Sequence, residues 1–418
     1  MRQLFIYLLL IPASVAFATS DESQNSLTLD QAIVNVLENN PSLRAADYEA
    51  KAAAARIRAA QLTPAFRTSI EFENFAGSGT LSGGDALEST LSLSKVLELG
   101  DKAKLRGDVA HNKAMILRNE QDAKRLDLLA ETTDRFVQVF SDHQRLAIEK
   151  DSLALAKRTH IVVELLMKAV KSPDAELRRV KIALARMELE IEHARHMLDT
   201  SRLKLATLWG ETQTHFNNAV ANLFDIEPAV PFETLVQLLE RNPDLVRLAT
   251  ESRLAETRIQ LARSRNRGDI EIAGGLRHFN LLDDTALVMS LNIPIGNRSR
   301  AAPGVDEAEM QSLRNPYDLE QRRLELHATL YEVYQELNHA IDSVSAFRKT
   351  IIPLAESALR DYEKGYAAGR YSLLELNVAQ RTLLDSRLES VMSAADYHRY
   401  RIEIDRLTGA GLSTGVTP

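Results

Sequence analysis

The chain has 418 residues, of which 26% are charged and only 6% are aromatic, and its formal net charge is −7. So few aromatic residues are typical of long helices packed along narrow seams, because a large globular core buries many aromatic side chains. The negative net charge offers no basic footprint for nucleic-acid binding. Cysteine is absent, which excludes disulfides, thiolate metal sites, a cysteine nucleophile and a lipidated cysteine.

The first residues have the features of a secretory signal. Arg2 precedes an apolar run over 4–15, and Ala16-Phe17-Ala18 has the small-x-small pattern of a cleavage site. We therefore predict a signal peptide over 1–18 and a mature chain that begins at Thr19. The apolar run is shorter than the roughly 20 residues of a transmembrane helix, and a retained membrane anchor is the alternative interpretation.

The sequence contains two copies of one unit. The segment LENNPSL at 37–43 returns as LERNPDL at 239–245, and later residues align at a constant offset of 199, such as Glu176 with Glu375 and Leu208 with Leu407. A repeat of this length indicates two fused structural units rather than a solenoid. We predict a first structural repeat over 19–210, a linker rich in Pro and Asn over 211–231, a second repeat over 232–409 and a tail over 410–418.

Each repeat is predicted to contain one β-hairpin, at about 68–97 and about 269–294. In these segments apolar and polar residues alternate, which is typical of half-buried strands. Four strands cannot close a membrane barrel, since small barrels begin at about eight strands, whereas three chains would supply twelve. The alternative is a pair of small soluble hairpins that cap helical bundles.

A long helical hairpin follows each β-hairpin, at about 101–209 and about 304–408. The first helix alone, over 101–169, would extend about 100 Å at 1.5 Å per residue. Leucines and other apolar residues recur at spacings of three and four, which indicates a heptad seam. Pro353 is expected to kink this helix of the second hairpin or to mark a change in its packing. The predicted fold is therefore mainly α with a small β part, in two tandem copies of helix, helix, β-hairpin and long helical hairpin.

Several segments resemble the TolC-like outer-membrane efflux family over nearly the whole mature length. They are LTLDQA at 27–32, the Asn40-Pro41 pair and YAAGRYSLLEL at 366–376, in the order typical of that family. The segment LELGDKAK at 97–104 is similar to the strand exit of the heavy-metal-cation efflux branch, where the family commonly has a second glycine in place of Asp101.

The resemblance implies a homotrimer with a twelve-stranded barrel in the lipid of the outer membrane, continued by an α-helical barrel in the periplasm. It also implies a periplasmic adaptor and an inner-membrane transporter of the RND type as partners, with metal cations as a cargo class. Neither an enzymatic activity nor a cofactor is expected. The turn between the last two long helices is expected to close the periplasmic entrance, through the gate candidates Lys364, Tyr366, Gly369, Arg370, Ser372 and Glu375.

Other interpretations of the same residues are open at this point. The turn also fits a solvated helix cap, and an acidic residue that is common three places after Glu375 in the family is Val378 here. His193 and His196 have the spacing of two ligands on one helical face, but a solvated surface explains them as well. For the whole chain, the alternatives are a periplasmic coiled-coil adaptor or structural protein, the outer-membrane component of a type I secretion system, and a periplasmic enzyme. The sequence shows no phosphate loop, nucleophile elbow or metalloprotease motif.

Overall fold

A computed structural model describes residues 26–168 and 174–410. The predicted signal peptide, the turn residues Ser172 and Pro173, and the tail beyond 410 lie outside these ranges. The first half contains β1 (Ser26–Leu27), α1 (Leu29–Asn39), α2 (Pro41–Ala60), β2 (Arg67–Glu73), β3 (Glu88–Leu97), α3 (Lys102–Lys168) and α4 (Asp174–Ala206).

The second half has the same order of elements, except that a π-helical turn divides the first helix of its long hairpin into two. It contains β4 (Asn218–Ala219), α5 (Phe232–Leu238), α6 (Pro243–Ser264), β5 (Ile270–Phe279), β6 (Asp284–Asn292), α7 (Asn297–Ala346), a π-helical turn (Phe347–Ile351), α8 (Ile352–Ala367) and α9 (Leu373–Thr408). The fold is therefore mainly α-helical with a small β part.

The helices that follow the hairpins are very long. Helix α3 has 67 residues, which corresponds to about 100 Å at 1.5 Å per residue. Helix α7 begins at Asn297 rather than near 304, and it continues through Pro303 and Pro316. Proline fits the helical φ angle and removes one hydrogen bond, a loss that packing along a 50-residue helix can offset. Within the described ranges, no helix is both long enough and apolar enough to cross a bilayer.

Pro353 coincides with a local change in helix type. The five residues Phe347–Ile351 form a π-helical turn, and α8 begins directly after it with the proline in its first turn. Proline lacks the N–H that would bond four residues back, and its ring crowds that carbonyl. A wider turn at this point lets the helix continue without the clash, as insertions of this kind do elsewhere.

In each repeat, one asparagine side chain connects the start of the repeat to its end by a hydrogen bond. Asn40 caps helix α2 by accepting a bond from the Ser42 N–H at 2.8 Å, and its amide donates to the Leu208 carbonyl at 2.7 Å. Asn242 caps α6 in the same way and donates to the Leu407 carbonyl at 2.9 Å. Both side chains are buried. The duplicated Asn-Pro pair thus marks more than a helix boundary, because it also connects two helix ends far apart in sequence.

Strands β2, β3, β5 and β6 form one antiparallel sheet in that order. The two hairpins meet through the ladder between β3 and β5, which pairs Glu88 with Phe279 and Leu97 with Ile270. Strands β2 and β6 are the edges of this sheet. A separate parallel pair joins β1 to β4 next to the long helices.

The sheet has one apolar and one polar face. Register places Ile70, Leu91, Leu276 and Leu287 in a single row across all four strands, and every one of them is more than half exposed. The neighbouring row on the opposite face contains Glu71, Thr90, Arg277 and Ala286. Strand residues alternate between faces, so the exposed apolar residues form a continuous surface rather than isolated positions.

Candidate functional site

The turn between α8 and α9 reverses the chain within a few residues. Helix α8 ends at Ala367, and Gly369 takes a left-handed conformation with φ of +72°, which glycine adopts without the penalty of a side chain. The Gly369 N–H donates to the Tyr366 carbonyl at 2.9 Å, and the Arg370 N–H donates to the Gly365 carbonyl at 2.8 Å. Both bonds satisfy carbonyls that the end of a helix leaves open.

Gly365 is a part of this turn that the sequence patterns did not reveal. It is buried, and a Cβ atom on it would lie 2.1 Å from Cδ2 of Tyr371. The Tyr371 ring thus packs directly on the helix backbone, and its centroid is 4.7 Å from that of Tyr362. The signal in the sequence that could have indicated this role is the spacing of four residues between Gly365 and Gly369. The absence of a side chain at this position allows the aromatic pair to close over the turn.

Tyr366 connects the turn to the other copy of the repeat. Its ring is buried, and its hydroxyl donates to Oε2 of Glu176 at 3.2 Å. Glu176 lies in the first turn of α4, at the position that aligns with Glu375. A residue of the second turn therefore contacts the first copy within one chain.

Ser372 and Glu375 form a capping box at the start of α9. The Glu375 N–H donates to the Ser372 hydroxyl at 3.3 Å, and Oε2 of Glu375 accepts from the Ser372 N–H at 2.8 Å and from its hydroxyl at 2.9 Å. These bonds lower the pKa of Glu375 below its ordinary value, and the bond from the Ser372 backbone N–H has the largest effect. The carboxylate is therefore held ionised on the exposed side of the turn, next to the exposed Val378.

Lys364 and Arg370 provide positive charge at the same turn. Both are exposed, and in the described ranges neither side chain has an ion-pair or hydrogen-bond partner. The structure therefore brings all six gate candidates into one turn. Tyr366 and Glu375 are fixed by side-chain contacts, whereas the two cations face outward.

A polar cluster lies on the sheet, far from this turn in sequence. Arg277 of β5 donates from Nε to the Thr90 hydroxyl at 2.9 Å and from Nη1 to Oε2 of Glu88 at 3.0 Å. Its Nη2 lies 2.6 Å from Oε2 of Glu73. One guanidinium thus joins β2, β3 and β5. The sequence did not single out these residues, because they come together only through the pairing of the two hairpins.

His193 and His196 both lie exposed on α4. No group of three or more histidine, cysteine or acidic side chains in the described ranges is arranged to hold a metal ion. The interpretation of the two histidines as parts of a solvated helix surface fits this arrangement.

Comparison with known families gives a family match over most of the chain. The family model described as "Outer membrane efflux protein" matches residues 32–211 and 234–410, which together make up most of the sequence. The chain belongs to the outer membrane efflux protein family. This match confirms the resemblance to outer-membrane efflux proteins that the sequence motifs indicate. The family is one of transport proteins rather than enzymes.

Two curated relatives of this efflux protein match it over most of their length. The cobalt-zinc-cadmium resistance protein CzcC of Cupriavidus metallidurans is 25% identical over 396 residues, which cover 93% of this chain and 91% of the relative. The pyoverdine export outer membrane protein OpmQ of Pseudomonas putida is 24% identical over 386 residues, which cover 86% and 81% of the two chains.

A solved structure of CusC, described by its transmembrane channel formation, superposes with a TM-score of 0.76 at 18% identity and covers 91% of both chains. The shared fold agrees with the family assignment. This efflux protein therefore acts at the outer membrane as a channel subunit, as expected from its sequence.

Proposed function

We propose that three copies of this efflux protein close a twelve-stranded barrel in the outer membrane, continued by a barrel of the long helices in the periplasm. The observation that carries this proposal is the apolar row across all four strands, from Ile70 to Leu287. A surface of this kind is stable against lipid. The edge strands β2 and β6 would leave unpaired backbone groups in the bilayer, and pairing with neighbouring copies removes that cost.

Cross-linking tests this assembly directly, because the natural chain contains no cysteine. We expect single cysteines scanned along β2, combined with single cysteines scanned along β6, to form disulfides between chains at one register only. The product should migrate as a trimer. Pairs between β2 and α4 serve as the control and should stay reduced. Disulfides within one chain, or a dimer as the largest product, would overturn the proposal.

The cargo that we propose is a divalent transition-metal cation, moved to the exterior by an adaptor and an RND-type pump of the inner membrane. The similarity to CzcC, named for cobalt, zinc and cadmium resistance, over 93% of the chain supports this class. Deletion of the gene should lower tolerance to these three ions, and expression of the chain should restore it. Unchanged metal tolerance, with loss of pyoverdine export instead, would point to the cargo named for OpmQ.

We further propose that the turn from Tyr366 to Glu375 is the periplasmic gate of this channel. Its support is the hydrogen bond from Tyr366 to Glu176, which ties the two copies of the repeat together at this turn. The outward-facing Lys364 and Arg370 are available to pair with a neighbouring subunit. Three Glu375 carboxylates around the threefold axis would form an acidic ring that favours cations.

A further inference from the structure

The cluster around Arg277 lies on the polar face of the sheet. Glu73 and Glu88 are directly opposite each other on β2 and β3, and like charges in that position repel. The guanidinium of Arg277 lies within 3.0 Å of a carboxylate oxygen of both. Asn74 adds a hydrogen bond from its amide to Oε1 of Glu88 at 2.7 Å. Arg277 is thus the cation that allows two acidic residues to share one place in the sheet.

This cluster points away from the apolar row. Arg277 follows Leu276 in β5 and so lies on the opposite face. The same face contains the Ser69 and Ser92 hydroxyls, which are 2.7 Å apart. In the proposed barrel the apolar row meets lipid, so the Arg277 face lines the lumen. The inference that follows therefore rests on the proposed function.

We infer that Arg277 sets the charge selectivity of the barrel lumen, as a second selective ring separate from the turn at Glu375. Each subunit contributes two carboxylates and one guanidinium to this cluster, which leaves one net negative charge per subunit. Removal of the guanidinium doubles that negative charge. Loss of both carboxylates reverses its sign.

The effect on ion permeation follows from the field of a charged ring. Fixed charges of one sign in a confined channel raise the local concentration of the opposite ion. Salt screens these charges, so that their field reaches about 10 Å at 0.1 M salt and about 30 Å at 0.01 M. A ring on the wall of a wide barrel should therefore influence permeation mainly at low ionic strength.

The experiment measures the ratio of cation to anion permeability in planar bilayers, from reversal potentials in a salt gradient. We expect Arg277→Gln to raise this ratio roughly twofold or more at low salt. The double variant Glu73→Gln, Glu88→Gln should lower it by a similar factor. Both changes should shrink in 1 M salt, where screening acts within about 3 Å. Arg58→Gln, which removes an exposed arginine of α2 outside the sheet, is the control and should leave the ratio unchanged.

Arg277→Lys separates selectivity from a structural role. Lysine keeps the charge but lacks the planar fork that reaches both carboxylates, so this variant should keep the natural ratio even if its trimer is less heat-stable. An equal change in Arg277→Lys and Arg277→Gln would overturn the inference, as would an unchanged ratio in conducting trimers of Arg277→Gln and of the double glutamate variant. Failure of the natural chain itself to form conducting trimers would instead refute the proposed function.

Discussion

At the scale of single residues, Glu375 combines a structural and an electrostatic role that substitution can separate. Glutamine keeps the capping box with Ser372 but removes the charge, because glutamine is also suited to the third position of a helix. Lysine removes both the capping box and the negative charge. We expect Glu375→Gln to lower the cation preference of the open channel while α9 stays ordered, and Glu375→Lys to reverse the preference and loosen the first turn of α9.

Reversal potentials and hydrogen exchange over 371–380 measure the two effects. Because the pKa of Glu375 is lowered, the carboxylate contribution to the cap is present above the ordinary pKa of glutamate and is lost as pH falls through the lowered value. The cation preference should follow the same course. If both variants kept the cation preference of the natural chain, this turn would be a helix cap with no role in selectivity.

The extent to which sequence reveals structure also differs from residue to residue. The alternation of Ile70 and Phe72 with polar neighbours predicts a strand, and the Asn-Pro pair predicts a helix start, because both signals depend on local backbone geometry. Gly365 and Arg277 were missed. Their roles depend on a ring that folds back onto a helix and on a ladder between strands about 190 residues apart, and neither leaves a periodic pattern.

At the scale of secondary-structure elements, Asn40 and Asn242 test whether the repeats are closed by equivalent contacts. Aspartate keeps the oxygen that caps the helix but loses the amide that donates to Leu208 or Leu407, and it places a carboxylate against that carbonyl. We expect Asn40→Asp and Asn242→Asp each to lower the free energy of unfolding by about 1–3 kcal/mol, the usual cost of an unsatisfied buried polar group.

Thermal unfolding of the purified protein measures this effect. Ser42→Ala is the matched control, because in the part of the chain that the structure describes the Ser42 hydroxyl bonds only the same Asn40 oxygen. Its loss leaves the cap and the long-range bond in place. A loss in the aspartate variants no larger than in this control would show that the bonds to Leu208 and Leu407 contribute little.

At the scale of the whole molecule, helix α7 presents an apolar surface that nothing in the described chain covers. Leu313 and Tyr317 lie one turn apart on it, with 62% and 78% of their surface exposed. In the proposed trimer a neighbouring subunit covers this surface. We expect the double variant Leu313→Glu, Tyr317→Glu to lose most of the trimer, since two buried carboxylates without partners are costly.

The measurement is the fraction of trimer in detergent, by light scattering after size-exclusion chromatography. Gln311→Glu adds a carboxylate at an exposed position of the same helix and should leave the trimer intact. If the double glutamate variant were as trimeric as this control, the surface would not lie between subunits.

The ladder between β3 and β5 has a consequence for biogenesis. Its partners, such as Glu88 and Phe279, are separated by 191 positions, so the second hairpin must leave the inner membrane before the first can find its neighbour. Contacts between such distant segments form slowly. Until then the apolar side chains of the first hairpin face water in the periplasm, where exposed strand edges invite aggregation. The order of synthesis therefore leaves the first hairpin open to aggregation until the second hairpin has formed.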